Sequence, residues 1–201
     1  MELLCCDCVN SAKSTDWTTI ISSGGAIAIG IAAVIFSYFQ FIRSLEAEKR
    51  KEKRNEIYKK LNEFYGPLLQ LRMKSNRIYE KFSRKFRAAD PDFATLTYLL
   101  NGHKFEGNDK ILLEEILNIG EESEKLIHKR AGLIDDTNLR INILPRATTH
   151  YLILRLAYRG ALTGDSALYR DLTFPRELDN LLEKRKKELE RELEDLNKRI
   201  K

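Results

Sequence analysis

Glu124 and His128 stand four residues apart, so on a helix they share one face. Joined by His150 from a neighbouring helix, they would form a carboxylate–imidazole set of the kind that holds a divalent metal. Bundle proteins with such sites use Glu-x-x-His on two helices plus further glutamates, a spacing this chain lacks. A salt-bridged or polar histidine is the simpler account of His103, His128 and His150. The chain has no phosphate-binding glycine loop, no paired Cys/His ligand pattern and no Gly-x-Ser-x-Gly elbow. Cys5, Cys6 and Cys8 are its only thiols, and Cys-Cys-Asp-Cys is too compressed for a four-ligand zinc site. In an oxidising space they can cross-link two chains; facing a eukaryotic cytosol, palmitoylation would compete. An unstructured tail with incidental thiols is the plainer reading. The sequence therefore leads us to expect no catalytic residue, no metal and no cofactor, and a protein that is not an enzyme.

A binding surface is easier to find. Arg72, Lys74, Arg77, Lys81, Arg84 and Lys85 crowd one segment in which Glu80 is the only acid, with Tyr79, Phe82 and Phe86 interleaved. Bases among aromatics can bind single-stranded nucleic acid. Aromatics at three- and four-residue spacing more often face a helical core while the bases sit in water. The six basic residues are accordingly expected to form a surface for a protein partner or lipid, and nucleic acid is disfavoured.

What must position these groups is dominated by one stretch. Trp17 to Ile42 contains no charged side chain and is closed by Arg43 and a dense run of Lys, Arg and Glu. Roughly 20 apolar residues span a bilayer core as a helix, so this run is long enough with some tilt to spare. The tail before it is acidic and the run is too long for a cleaved signal peptide. The net charge is +5, and its excess lies just after the run, where basic residues outnumber acidic ones about two to one over 43–60. The positive-inside rule then puts residues 1–16 outside and the remainder in the cytoplasm. Ser22, Ala26, Gly30 and Ala33 recur at three- and four-residue steps, a small-residue stripe suited to close helix pairing. Residues 43–56 are expected to continue the helix as a charged stalk, with Glu46 and Arg50 paired at i,i+4.

From residue 57 to 201 apolar residues return at helical spacing and no alternating strand of useful length occurs. Gly66-Pro67 should start a new helix or kink one, and is the expected hinge between stalk and bundle. Asp90-Pro91-Asp92 reads as a helix start running to about Asn101, with Gly102 as its stop. Asn108 or Asp109 should cap a long helix ending at Gly132. Asp135, Asp136 or Thr137 should cap the next, broken or kinked at Pro145 and ending at Gly160. Phe174-Pro175 should open the last helix. Its stripe of Leu178, Leu182, Leu189, Leu193, Leu196 and Ile200 suits either a coiled-coil seam or the outer helix of a bundle. The fold expected is all-α: a single transmembrane helix (17–42), a stalk (43–56) and an antiparallel helical bundle (57–201).

Leu61-Asn-Glu-Phe-Tyr-Gly-Pro-Leu68, followed by Tyr79-Glu-Lys-Phe82, resembles a segment recurring in small bacterial membrane proteins of unassigned function. The resemblance implies a bacterial inner membrane and brings no catalytic or ligand residue with it. The expectation is a non-enzymatic, membrane-anchored interaction or signalling protein. Its bundle binds a protein partner and sets the association state, such as a homo-oligomer, of the membrane helix. The alternative is a membrane-disrupting effector, of toxin or phage-defence type, acting through oligomerisation of that helix. Membrane lipid is a contact in both.

Overall fold

A computed structural model describes the backbone of residues 17–198, and the side chains of residues 33–198 apart from 166, 170 and 171. Every regular element among them is helical and none is a strand, as apolar spacing without alternation requires. The chain divides into two units, Met1–Lys51 and Glu52–Lys201.

Helix α1, Trp17–Lys60, begins in the first unit and ends in the second. Arg50 and Glu46 pair along it at 3.1 Å, the i,i+4 arrangement that helps a charged helix hold together in water. Among the described residues no helix is long and apolar enough to cross a membrane. The described side chains of the apolar run begin at Ala33, and the ~10 residues from there to Ile42 cover about half of a ~30 Å bilayer core. The rest of the run from Trp17, with Ser22, Ala26 and Gly30, lies outside the described side chains, as does the cysteine tail.

In the second unit, neither Pro67 nor Pro145 stops its helix. A proline inside a helix lacks an N–H, and its ring collides with the carbonyl of residue i−4. Here the helix widens just before each one. Leu61–Tyr65 forms a π-turn in which the Gly66 amide donates to the Leu61 carbonyl, and α2 (Gly66–Ala89) proceeds through Pro67. Leu139–Ile143 forms a second, the Leu144 amide donating to Leu139, and α5 (Leu144–Tyr158) proceeds through Pro145. Between them come a short α3 (Thr95–Leu100) and a long α4 (Gly107–Lys129), and α6 (Leu178–Lys198) follows α5.

Several helix starts differ from expectation. Asp90 closes α2 in extended conformation, and its carboxylate accepts the Asp92 amide at 3.0 Å. That local turn competes with helix initiation, so α3 waits until Thr95. Glu106, with no side-chain cap bond, precedes α4, and Asp109 lies within its first turn. Asp136 does act as a cap, accepting the Leu139 amide at 2.9 Å. Pro175 is fully buried ahead of α6, which begins three residues later at Leu178.

Two buried clusters hold the second unit together. The first gathers around both π-turns and includes Phe64, Tyr65, Leu68, Leu139, Ile143 and Leu144. The α6 stripe covers it: Leu178, Leu182 and Leu189 are buried there, with Leu193 and Leu196 packed alongside. The last helix is thus part of its own bundle. The second cluster is aromatic, with Phe82, Phe93 and Phe105 buried against Leu113, Ile116, Ile153 and Leu154. Phe86 and Phe93 stack with ring centroids 4.8 Å apart.

At Gly66 a Cβ would stand 2.7 Å from the Leu61 carbonyl oxygen, the acceptor of the π-turn itself. Gly66→Ala should therefore lower the unfolding free energy by about 1–3 kcal/mol, the usual cost of overpacking a filled site. Urea denaturation measures this, and an unchanged midpoint would mean the turn does not need glycine.

Candidate functional site

The α2 helix places Leu68, Arg72, Ser75 and Tyr79 on one face by their three- and four-residue spacing. Arg72 lies in that inward stripe and is only 5% exposed. A buried cation is costly unless paired and hydrogen-bonded, and this one is both, with four of its five N–H donors engaged. Its Nε donates to Asp179 Oδ1 at 2.8 Å and its Nη2 to Oδ2 at 3.2 Å, a bidentate grip on the first turn of α6. Nη1 donates to the Tyr151 hydroxyl at 3.0 Å and Nη2 to Asn76 Oδ1 at 2.9 Å. Asn76 Nδ2 in turn donates to Asp179 Oδ2 at 2.7 Å. The guanidinium carbon sits 4.0 Å from the centre of the Phe174 ring, close enough for cation–π attraction. Tyr151 reaches Arg72 across α4 because Gly120 leaves room: a Cβ there would come within 2.8 Å of the tyrosine ring.

Arg72 forms part of the wall of a cavity of about 820 Å³ between α2, α3, α4, α5 and the segment leading into α6. That volume is in the range of small-molecule sites. Aromatic Tyr79, Phe93, Tyr169 and Phe174 and aliphatic Leu96, Leu113 and Leu154 supply the apolar lining. Polar groups converge on it from Ser75, Thr95, Thr97 and His150. His150 Nδ1–H donates to the Leu172 carbonyl at 2.9 Å. Burial pushes the His150 pKa down, the hydrogen bond to Leu172 opposes this, and the Arg72 charge lowers it further. The ring is neutral at pH 7, with Nε2 as an acceptor. Burial opposes ionisation of Asp179, but the hydrogen bond and charge of Arg72, with the Asn76 bond, win and hold its pKa below the ordinary value.

A second polar node pins the opposite cluster. Asp135 accepts the Tyr65 hydroxyl at 2.7 Å and a forked pair from Arg185, at 2.8 and 3.2 Å. Lys60 Nζ lies 3.0 Å away. Burial would raise the Asp135 pKa, yet the bonds from Arg185, Tyr65 and Lys60 hold it well below the carboxylate range. The end of α1, the first π-turn, the loop before the second and α6 thereby meet at one carboxylate.

The structure scatters much of what the sequence grouped together. Of the six expected surface bases, Arg72 is buried in this network and does not face solvent. Lys74 is exposed and bonded to Glu115 at 2.6 Å; Lys85 is exposed and bonded to Asp109. Arg77, Lys81 and Arg84 are exposed. Gly66 and Pro67 lie between Tyr65 and Leu68, both fully buried. Ala33 is exposed. Glu124 is held by Arg155 at 2.7 Å and His150 by Leu172, so the Glu124–His128–His150 set is not assembled. Among the described residues no group of three His, Cys, Asp or Glu is placed to hold a metal ion. Sequence reasoning missed Tyr151, Phe174, Thr95 and Asp179. One signal was present: Arg72 follows Leu68 by four residues and precedes Tyr79 by seven, in phase with the apolar stripe. No protein-family model, curated protein or solved structure matches the chain.

Removing one partner of a buried pair leaves the other charge uncompensated. Asp179→Ala should cost about 3–5 kcal/mol in urea denaturation, whereas Arg72→Met combined with Asp179→Leu should recover most of it. Equal losses in both variants would mean that packing, not charge, sets the cost.

The pH profile follows from the same groups. His150 binds protons less readily in the folded chain than in the unfolded one, whose value is about 6.5. Its contribution is whole above about pH 6.5 and is lost as pH falls through the folded value. Asp135 and Asp179 are also depressed, so their contributions are whole above about pH 4 and drain away below it. Urea stability should decline in two stages on acidification, and His150→Gln should abolish the upper one. A flat profile from pH 7 to pH 5 would contradict this.

Proposed function

We propose that the chain is a non-enzymatic, membrane-anchored interaction or signalling protein whose helical bundle takes up a partner in the cytoplasm. The observation that carries this reading is the surface of α1. Val34, Ile35, Phe36, Tyr38, Phe39 and Phe41 are each at least half exposed, and at ~100° per residue they cover roughly 220° of the helix surface, with Ser37 and Gln40 on the remainder. So wide an exposed apolar surface, interrupted by uncharged residues alone, is suited to a membrane or a protein partner and not to water. The uncharged sequence extending back to Trp17 and the basic residues after Ile42 support a single crossing with residues 1–16 outside. In the bundle, Arg72 and His150 are held by protein partners, an arrangement suited to recognition more than to proton transfer. Small residues at Ser22, Ala26, Gly30 and Ala33 would let the membrane helix pair, and the association state is the output we assign to it.

Full-length protein should stay with membranes after alkaline carbonate extraction, and Gly30→Leu should weaken self-association in a membrane reporter. Release into the supernatant would refute the anchor, and an unchanged reporter signal would remove the packing role. The rival effector reading draws on the Ser- and Gly-rich start of the run, and predicts dye entry into overexpressing cells where a passive anchor predicts none.

A further inference from the structure

We infer that the cavity beside Arg72 is a binding site for a small aromatic organic anion. Five Phe and Tyr rings, those of Tyr79, Phe93, Tyr151, Tyr169 and Phe174, line a space of about 820 Å³. Ring faces and edges of this kind favour a flat unsaturated body by stacking and edge contacts. The charge balance of the wall sets the sign of the ligand. Arg72 and Asp179 neutralise each other. Beyond that pair the lining holds two guanidinium groups, Arg87 and Arg176, against one carboxylate, Asp165. Both arginines are exposed, so they stand where an anionic group at the mouth would meet them. Arg87 lies 5.4 Å from the Tyr79 ring centre, which joins the cationic and aromatic features on one wall. Guanidinium groups bind carboxylate, sulfonate and phosphate through charge-assisted paired hydrogen bonds.

A second observation points the same way. Thr95, on the cavity wall, is 6% exposed and its Oγ1 has no hydrogen-bond partner. Buried hydroxyls are ordinarily satisfied, because leaving one unmade forfeits its bond to water. The hydroxyl has almost no accessible surface, so a ligand acceptor supplies the missing partner once a small shift of that wall uncovers it. His150 Nε2 remains as an acceptor for an N–H or O–H on the ligand body, since Nδ1 is spent on Leu172. The inference goes beyond the membrane reading and does not depend on where residues 17–42 reside.

The test uses the full-length chain in lipid nanodiscs and two fluorescent probes of similar shape. One is 1-anilinonaphthalene-8-sulfonate, an aromatic anion; the other is its uncharged analogue N-phenyl-1-naphthylamine. Binding is read as the difference from protein-free nanodiscs, so that lipid background cancels, and Thr97→Trp, on a cavity wall residue, is the first blocking variant. Ala94→Trp, on an exposed wall residue, is the second blocking variant should Thr97→Trp unfold by circular dichroism. The expected result is saturable one-to-one binding of the anion that both blocking variants abolish. Arg87→Ala with Arg176→Ala should weaken the anion roughly tenfold or more while leaving the neutral probe within about twofold. Anion binding that survives both blocking variants would overturn the site. Equal loss of both probes, or no loss of either, in the arginine variant would overturn the anionic class.

Discussion

The bundle depends on how it accommodates one buried cation. Arg72 arises from the second turn of α2, in phase with leucine and tyrosine, and cannot reach water without breaking that phase. Its charge is met by Asp179 from α6, and one Nη1 hydrogen bond goes to Tyr151 of α5. Three helices distant in sequence therefore converge on one planar group whose donors have fixed directions. Such a pair adds little net stability over a well-packed apolar alternative, but it penalises any arrangement that separates the partners. The same grip fixes the cavity wall, because Phe174 lies over the guanidinium and Asp179 lies in the first turn of the helix that follows.

The π-turns answer a different constraint. Each lets a proline sit inside a continuous run of helix by placing an extra residue ahead of it. Both fall within the first buried cluster, to which they contribute Phe64, Tyr65, Leu139 and Ile143. Tertiary packing offsets the weaker hydrogen-bond geometry that makes isolated π-turns rare. Asp135 then joins the first of these turns to α6, so the two polar nodes brace α6 near its start and again around Arg185.

The helical class of the domain was legible from apolar spacing, and the stop at Gly102 and the Asp136 cap from local chemistry. The fate of the prolines was not, since a break, a kink and a π-turn share one sequence signature. Neither was the start of α3: Asp90-Pro91-Asp92 carries the marks of a helix cap, and the Asx turn it makes uses the same residues. Arg72 shows why the cavity escaped notice. Composition placed it with its basic neighbours on a surface, whereas helical phase placed it with Leu68 and Tyr79, and burial follows phase. Tyr151, Phe174 and Asp179 join it only through tertiary contact, which no local pattern encodes.

The leucines of α6 also govern when the domain can close. Phe64, Tyr65 and Leu68 are made early, yet the side chains that cover them, Leu178, Leu182 and Leu189, come far downstream. While the ribosome works through the intervening helices, the face prepared by the first π-turn has no lid and remains adhesive to other apolar surfaces. Contacts of such high sequence separation also form late, because a long loop must first be brought together. The nascent domain therefore passes through a stage in which its aromatic cluster can assemble without α6 while the cluster around the π-turns still waits for it. That interval is when the unfinished chain is most exposed to chaperones and to mispairing with its own copies.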